Sequence, residues 1–226
     1  LINKFVPDME TALAGLNDGA TILMGGFGSV GQPVQLVDHI ADMGLKNLTL
    51  IANNAGAAFG GMTKLLQTGA IGKVVCSYPR SSNSTVFIDL YREGKIQLEL
   101  VPQGTLAERI RAASAGIPAF FTPTGAGTQL GAGKETREIN GRLCVLETAI
   151  HADFAVLEAW EADRWGNLTY KLSGQNFNPI MAGAAAVTVV QTQHVRELGE
   201  IHPDAVKTPG IYVDRVIHVP YGDPTL

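Results

Sequence analysis

Apolar strand, glycine-bearing loop and periodic helix follow one another several times in the first half of this chain, and that rhythm constrains the fold more than any other feature. Ala20-Thr21-Ile22-Leu23-Met24 is an apolar run of strand length. A glycine-rich loop over 25–31 follows, and Pro33 opens a helical pattern, PVQLVDHIADM, that stops at Gly44. Leu48-Thr49-Leu50-Ile51-Ala52 repeats the strand and runs into Asn53-Asn54-Ala55-Gly56. The pattern then predicts a helix over 61–67, a strand over 73–77, a helix over 85–92, a strand over 96–101 and a helix over 105–115. Residues 8–16 also carry helical spacing, with Asp8 placed to cap them. Strands that are apolar throughout, each followed by a helix, predict an α/β fold: a mostly parallel sheet flanked by helices.

The character changes after residue 118. A glycine-rich passage, FTPTGAGTQLGAGKE, leads to two extended segments joined by Asn140-Gly141, a hairpin signal that gives the C-terminal half an antiparallel element. A strand is expected over 153–159, a polar, turn-rich stretch over 160–178, then a short helix feeding a strand in MAGAAAVTVVQT. Strand-like pieces broken by Pro203, Pro209 and Pro220 make up the tail. With no repeat, linker or low-complexity tract, residues 1–226 read as a single domain.

Composition removes several function classes. Seventeen Lys and Arg against 21 Asp and Glu give a formal charge of -4 without a basic block, which argues against nucleic acid and anionic membranes as partners. No apolar stretch reaches the roughly 20 residues a spanning helix needs. The opening Ile2-Asn3-Lys4-Phe5 leads to no long apolar core, so no signal peptide is expected. Two cysteines in apolar settings, Cys76 and Cys144, fit reduced thiols and a cytoplasmic location. On that reading the glycosylation-like runs at Asn83 and Asn167 are chance matches. The five histidines show no tight ligand spacing, so no metal site is expected. The 17% charged content also suits a chain that hides a face against a partner.

Gly26-Phe27-Gly28-Ser29-Val30-Gly31 is a literal G-x-G-x-x-G between an expected strand and an expected helix, the placement of a dinucleotide-binding loop. The acidic residue that should end the next strand and hold ribose hydroxyls is replaced by Asn53-Asn54. Three readings stay open on these residues: a nicotinamide site, a tight turn without a ligand, and a ligand-facing glycine loop of another kind.

The run Asp18 to Pro33 around that loop resembles the signature of the first subunit of family I coenzyme A-transferases. Further segments are similar in the same order: Ile51 to Gly56, Val101 to Arg111, Phe121 to Gly125, Gly133-Lys134-Glu135, His151 to Ala155, Asp163 to Leu168 and Asn176-Phe177-Asn178-Pro179. The resemblance covers nearly the whole chain. Within the family, Lys134 to Ile139 and the segment 146–155 are most similar to members that use succinyl-CoA and 3-oxoadipate. Members acting on acetoacetate and other short-chain 3-oxoacids follow closely.

The resemblance implies covalent catalysis in which a glutamate attacks the acyl-CoA carbonyl and the acids exchange through an anhydride and a glutamyl thioester. That glutamate belongs to the second subunit, in a Ser-Glu-Asn-Gly motif this chain lacks. The first subunit then contributes no nucleophile. Its partners are the second CoA-transferase subunit, small carboxylic acids and acyl-CoA, with the CoA thioester a substrate and no cofactor permanently bound. Gly25, Gly26, Phe27 and Gly28 are expected to line the site, their amides aimed at a developing oxyanion. Asn53, Asn54, Gln103 and Gly104 are the substrate-binding candidates, and of the two asparagines one faces the ligand while the other holds the loop. Thr122, Thr124 and Gly125 line the channel or form a turn. Glu108, Arg109 and Arg111 are expected on a solvated helix face or at an intersubunit contact. The rival readings are a nicotinamide-dependent oxidoreductase, a non-catalytic binding or scaffold protein, and a sugar-phosphate isomerase-like enzyme.

Overall fold

In the computed structural model, which describes residues 1–56, 60–80 and 84–219, the chain begins with α1 (Met9–Ala12), β1 (Thr21–Met24) and α2 (Val34–Asp42). Next come β2 (Leu48–Ile51), α3 (Gly61–Gln67), β3 (Ile71–Cys76), α4 (Val86–Arg92), β4 (Gln97–Leu100) and α5 (Gln103–Ser114). The second half holds β5 (Ala119–Thr122), β6 (Thr136–Ile139), β7 (Arg142–Thr148), β8 (Ala152–Asp163) and β9 (Leu168–Thr169). It closes with α6 (Asn178–Met181), β10 (Ala185–Arg196) and β11 (Arg215–His218). Asn83 and Pro220 lie outside the described residues.

The main sheet has the order β11-β10-β8-β1-β2-β3-β4, every neighbour parallel, with β9 paired antiparallel to β8. Alternation along the strands explains its two covered faces. Ile22, Met24, Phe154 and Val156 pack on one face with Leu36, Ile40, Met62 and Leu65 of α2 and α3. Leu23, Ala155 and Leu157 pack on the other with Leu106 and Ile110 of α5 and Met181 of α6. Both faces are apolar because both are buried, so the strands read as apolar runs without alternation in the sequence.

A small antiparallel sheet, β5-β7-β6, carries the expected hairpin. Asn140 at φ 52° and Gly141 at φ 73° both take the left-handed conformation that a two-residue turn between twisted strands requires. The sequence did not mark β5, because Phe120 and Phe121 run straight into a glycine-rich passage; β7 supplies the pairing that makes it a strand.

Several boundaries differ from expectation. Asp8 does cap α1, accepting from the Thr11 amide at 2.7 Å, but the helix ends at Ala12 and the chain turns through Gly15 at φ 93°. β8 runs to Asp163 instead of stopping at 159. Its polar end is held by β10 in register from Ala185↔Ala152 to Arg196↔Asp163, and Glu161 pairs with Arg196 at 2.7 Å. In the tail, the described residues form one strand, β11, and two short helical turns at Pro203–Ala205 and Gly210–Tyr212.

Candidate functional site

The connections from β1 run outward through β2, β3 and β4, whereas those from β8 run the opposite way through β10 and β11. β1 and β8 are neighbours, so a crevice opens at their carboxyl ends, where parallel α/β sheets bind ligands. The glycine loop leaves β1 at that point. Beside it lies a cavity of about 280 Å³ lined by Phe27, Gln103, Gly104, Ala107, Asn176, Phe177 and Ile180. The walls are mainly apolar, with two neutral amide side chains among them.

Inside the loop, Phe27 and Val30 exchange backbone hydrogen bonds of 2.9 and 3.1 Å, and Gly28 at φ 60° closes the turn between them. Phe27 is left half-exposed over the cavity. The amide of Gly25 donates to the Val156 carbonyl at 3.0 Å, that of Gly26 to Asn176 Oδ1 at 3.1 Å, and that of Gly28 to Asn54 Oδ1 at 2.9 Å. Each amide expected to face an oxyanion therefore has an acceptor within the chain. Glycine is required at Gly25 for a close approach: a Cβ there would stand 1.8 Å from Asn178 Oδ1.

Asn53 and Asn54, just past β2, make different contacts, and neither is in the cavity lining. Asn53 is 1% exposed; its Oδ1 accepts from Ser77 Oγ at 2.7 Å and Gln103 Nε2 at 2.9 Å, and its Nδ2 donates to Asn54 Oδ1 at 2.7 Å. Asn54 holds the glycine loop. A continuous amide chain thus runs from Gln103 through Asn53 and Asn54 to Gly28. Gln103 and Gly104 lie in the first turn of α5, two residues earlier than the sequence placed that helix, and no side chain caps its N-terminus. Gln103 spends one N–H on Asn53, which leaves a second donor and its carbonyl oxygen for a ligand.

The other candidates sit elsewhere. Thr122 ends β5 and its Oγ1 accepts from the Thr124 amide at 3.2 Å, with Gly125 in the turn beyond; none of the three is in the cavity lining. Glu108 and Arg111 do form an exposed pair at 2.6 Å, but Arg109 is not on a solvated face. Its side chain is 12% exposed and reaches Glu99 at 3.0 Å and Glu147 at 3.8 Å, because β4 and β7 close over it. Cys76 is fully buried, and burial pushes its thiol up to about 12. Among the described residues no group of three or more His, Cys, Asp or Glu is placed to hold a metal, and no helix is long and apolar enough to cross a membrane.

Sequence reading gave no role to Asn176, Phe177, Asn178, Ile180 or Ala107, although four of these line the cavity. The signal available was the compact Asn176-Phe177-Asn178-Pro179 run, whose asparagines are unexplained by any helical or strand pattern.

A family model described as Coenzyme A transferase matches residues 6–218. The chain is 54% identical to the A subunit of a 3-oxoadipate CoA-transferase from Pseudomonas putida, over 97% of this chain and 95% of the relative. It is 52% identical to the protein of the same description from Acinetobacter baylyi, over 97% and 96%. Among solved structures, an acyl-CoA transferase from Escherichia coli O157:H7 superposes with a TM-score of 0.84 at 23% identity. That match takes in 98% of this chain and 48% of the longer one, so the present chain spans about half of that molecule.

Proposed function

The chain belongs to the coenzyme A transferase family, and from that premise we propose that it is the A subunit of a heteromeric enzyme moving CoA from succinyl-CoA to 3-oxoadipate. The observation that carries this reading is identity above half, along nearly the full length, to two A subunits described by that activity. The second subunit supplies the glutamate that attacks the thioester; this chain supplies the walls of the site. The whole chain acts as one unit in that role, in the cytoplasm, a location that buried, unpaired Cys76 and Cys144 support.

Four features of the crevice fit the handling of a carboxylic acid. Gln103 offers a neutral amide donor, and the uncapped N-terminus of α5 adds aligned backbone dipoles beside it. Uncharged donors hold a carboxylate without a tight ion pair, which an acid passing through an anhydride would have to break. Phe27, Phe177 and Ile180 exclude water around the reacting carbonyl. The Gly28 amide, like that of Gly26, is held by a side chain and not by a strand, so a substrate oxygen can displace its acceptor, Asn54, without breaking the sheet. Asn53, sealed in the interior, positions Gln103 and Asn54 and does not touch the ligand.

The test is CoA transfer from succinyl-CoA to 3-oxoadipate by the chain alone and co-assembled with its partner subunit, with acetoacetate as the parallel acceptor. Transfer to 3-oxoadipate by the complex alone is expected. A preference for acetoacetate would reassign the acid substrate, and no transfer by a folded complex would return the chain to a non-catalytic binding role.

A further inference from the structure

Two asparagines, two residues apart, grip the glycine loop from outside its own segment. Asn176 lies 150 positions from Gly26 in sequence, yet its Oδ1 accepts from the Gly26 amide at 3.1 Å while its Nδ2 donates to the Val30 carbonyl at 3.1 Å. One planar amide therefore spans the two rims of the turn that carries Phe27 and Gly28. The same Nδ2 donates to the Ser173 carbonyl at 2.8 Å, which ties the amide plane to its own turn. Asn178 is fully buried and anchors the base: its Nδ2 donates to the carbonyls of Gly31 and Gly174 at 3.0 and 2.9 Å, and its Oδ1 accepts from the Glu158 amide at 3.1 Å. Glycine at 31 completes the fit, since a Cβ there would meet the Gly174 oxygen at 2.7 Å and Asn176 Nδ2 at 2.9 Å. The turn that delivers Asn176 begins at Leu172, held at φ 47°, a conformation an L side chain adopts only when its surroundings impose it.

We propose that Asn176 is a positioning residue for the transfer reaction: its amide fixes the separation of Gly26 and Val30, and so sets where Phe27 and the Gly28 amide stand over the cavity. An amide suits this work because it donates and accepts from one rigid plane, which a carboxylate or hydroxyl of similar size does not do. Asn176 also lines the cavity, so the element that sets the loop is the one that feels the ligand's presence. The inference rests on the reading above that the glycine loop faces the reacting thioester.

The experiment compares Asn176→Ala, Asn176→Asp and Phe27→Ala in the complex with the second subunit, by steady-state kinetics in both substrates and by hydrogen exchange of the 25–31 peptide. For Asn176→Ala the expected result is a kcat loss of roughly tenfold to a hundredfold, the scale of a small misplacement of a reacting group. KM for either substrate should stay within about threefold, which separates orientation from ground-state binding. Exchange in the 25–31 peptide should rise about tenfold while the strands stay protected. Asn176→Asp keeps an acceptor for the Gly26 amide but sets a carboxylate oxygen against the Val30 and Ser173 carbonyls in place of the donor. It should therefore lose kcat at least as far as Asn176→Ala, and it carries the test if the alanine variant does not assemble. Loosened exchange with unchanged kcat would overturn the positioning role. So would kcat and KM worsening together with a general rise in exchange, the mark of a structural role. An unaffected Phe27→Ala enzyme would instead remove the loop from the site, which is failure of the underlying reading.

Discussion

Glu158 shows how a single residue can hold a tension that the surrounding fold tolerates. It extends from β8 toward the α2 side of the sheet, where Gln191 Nε2 donates to its Oε2 at 2.8 Å and Gln193 Nε2 to its Oε1 at 2.9 Å. Gln191 is itself fixed: its Nε2 also donates to Gln35 Oε1 at 2.7 Å, and its Oε1 accepts from the Leu36 amide at 3.1 Å. Burial pushes the carboxyl up to about 7, and the two glutamine donors only partly offset that. The folded protein therefore keeps this proton at pH 5–6, where an unfolded chain has lost it, and stability declines as pH rises toward and through 7. A shift of this size corresponds to at most about 3 kcal/mol between the two ends of the window. Glu158→Gln abolishes the titration. Re-aiming of the neighbouring amides adds an offset that does not vary with pH. Thermal melts at pH 5, 6, 7 and 8 should show the variant gaining on wild type as pH rises. A constant difference across that range would mean that the carboxyl is solvated.

Among the elements, α5 is the one whose placement the site needs most, since its first turn presents Gln103 and Gly104. Apolar packing of Leu106 and Ile110 holds one stripe of it to the sheet. A line of alternating charges holds another. Lys73 of β3 meets Glu99 of β4 at 2.6 Å, Arg109 of α5 bridges Glu99 and Glu147 of β7, and Lys134 reaches Glu147 at 2.5 Å. Burial alone would raise Glu99, but the hydrogen bonds and charges of Lys73 and Arg109 outweigh it and hold the carboxyl below its usual range. Arg109 Nε also donates to the Thr148 carbonyl at 2.7 Å, so the guanidinium joins the small sheet to the helix. Glu147, with a side chain only 4% exposed, is the link that joins Lys134 to Arg109, which also keeps its closer pair with Glu99. Glu147→Ala should cost about 1–3 kcal/mol in urea unfolding, less than the roughly 3–5 kcal/mol for leaving a buried charge unpaired, because Arg109 keeps Glu99 and Lys134 is partly solvated. A loss under about 1 kcal/mol would put this line with ordinary surface pairs.

Across the whole molecule, stability is expected to be graded from the switch-point strands outward. Ala155, Val156, Leu157, Val189 and Val190 are fully buried in β8 and β10, with partners on both sides of each strand. All four residues of β6 are exposed, and it forms the edge of the small sheet. Hydrogen exchange on the isolated chain should leave the amides of 155–157 and 189–190 protected to the global unfolding limit, and those of 136–139 the earliest to exchange. Comparable protection in β6 would mean that another chain covers that edge in solution.

Much of this arrangement was legible from local chemistry. Apolar runs of strand length, Pro33 and Gly44 around α2, and the paired left-handed residues Asn140-Gly141 act within a few positions of themselves, so the sequence alone determines them. The glycine loop was marked by its own spacing, whereas Asn53-Asn54 and Gln103 became candidates through the family resemblance. Tertiary structure alone decided which strands are neighbours, and with that every long-range polar partner. The adjacency of β1 and β8 brings Asn178 under Gly25 and Asn176 across to Gly26 and Val30, and that of β8 and β10 sets Gln191 beside Glu158. The β4 and β7 strands turn Arg109 from an expected surface residue into a buried bridge. The reason is that periodicity encodes which face of an element is apolar, whereas the partner of a buried amide or guanidinium depends on sheet order, which spacing along the chain does not carry.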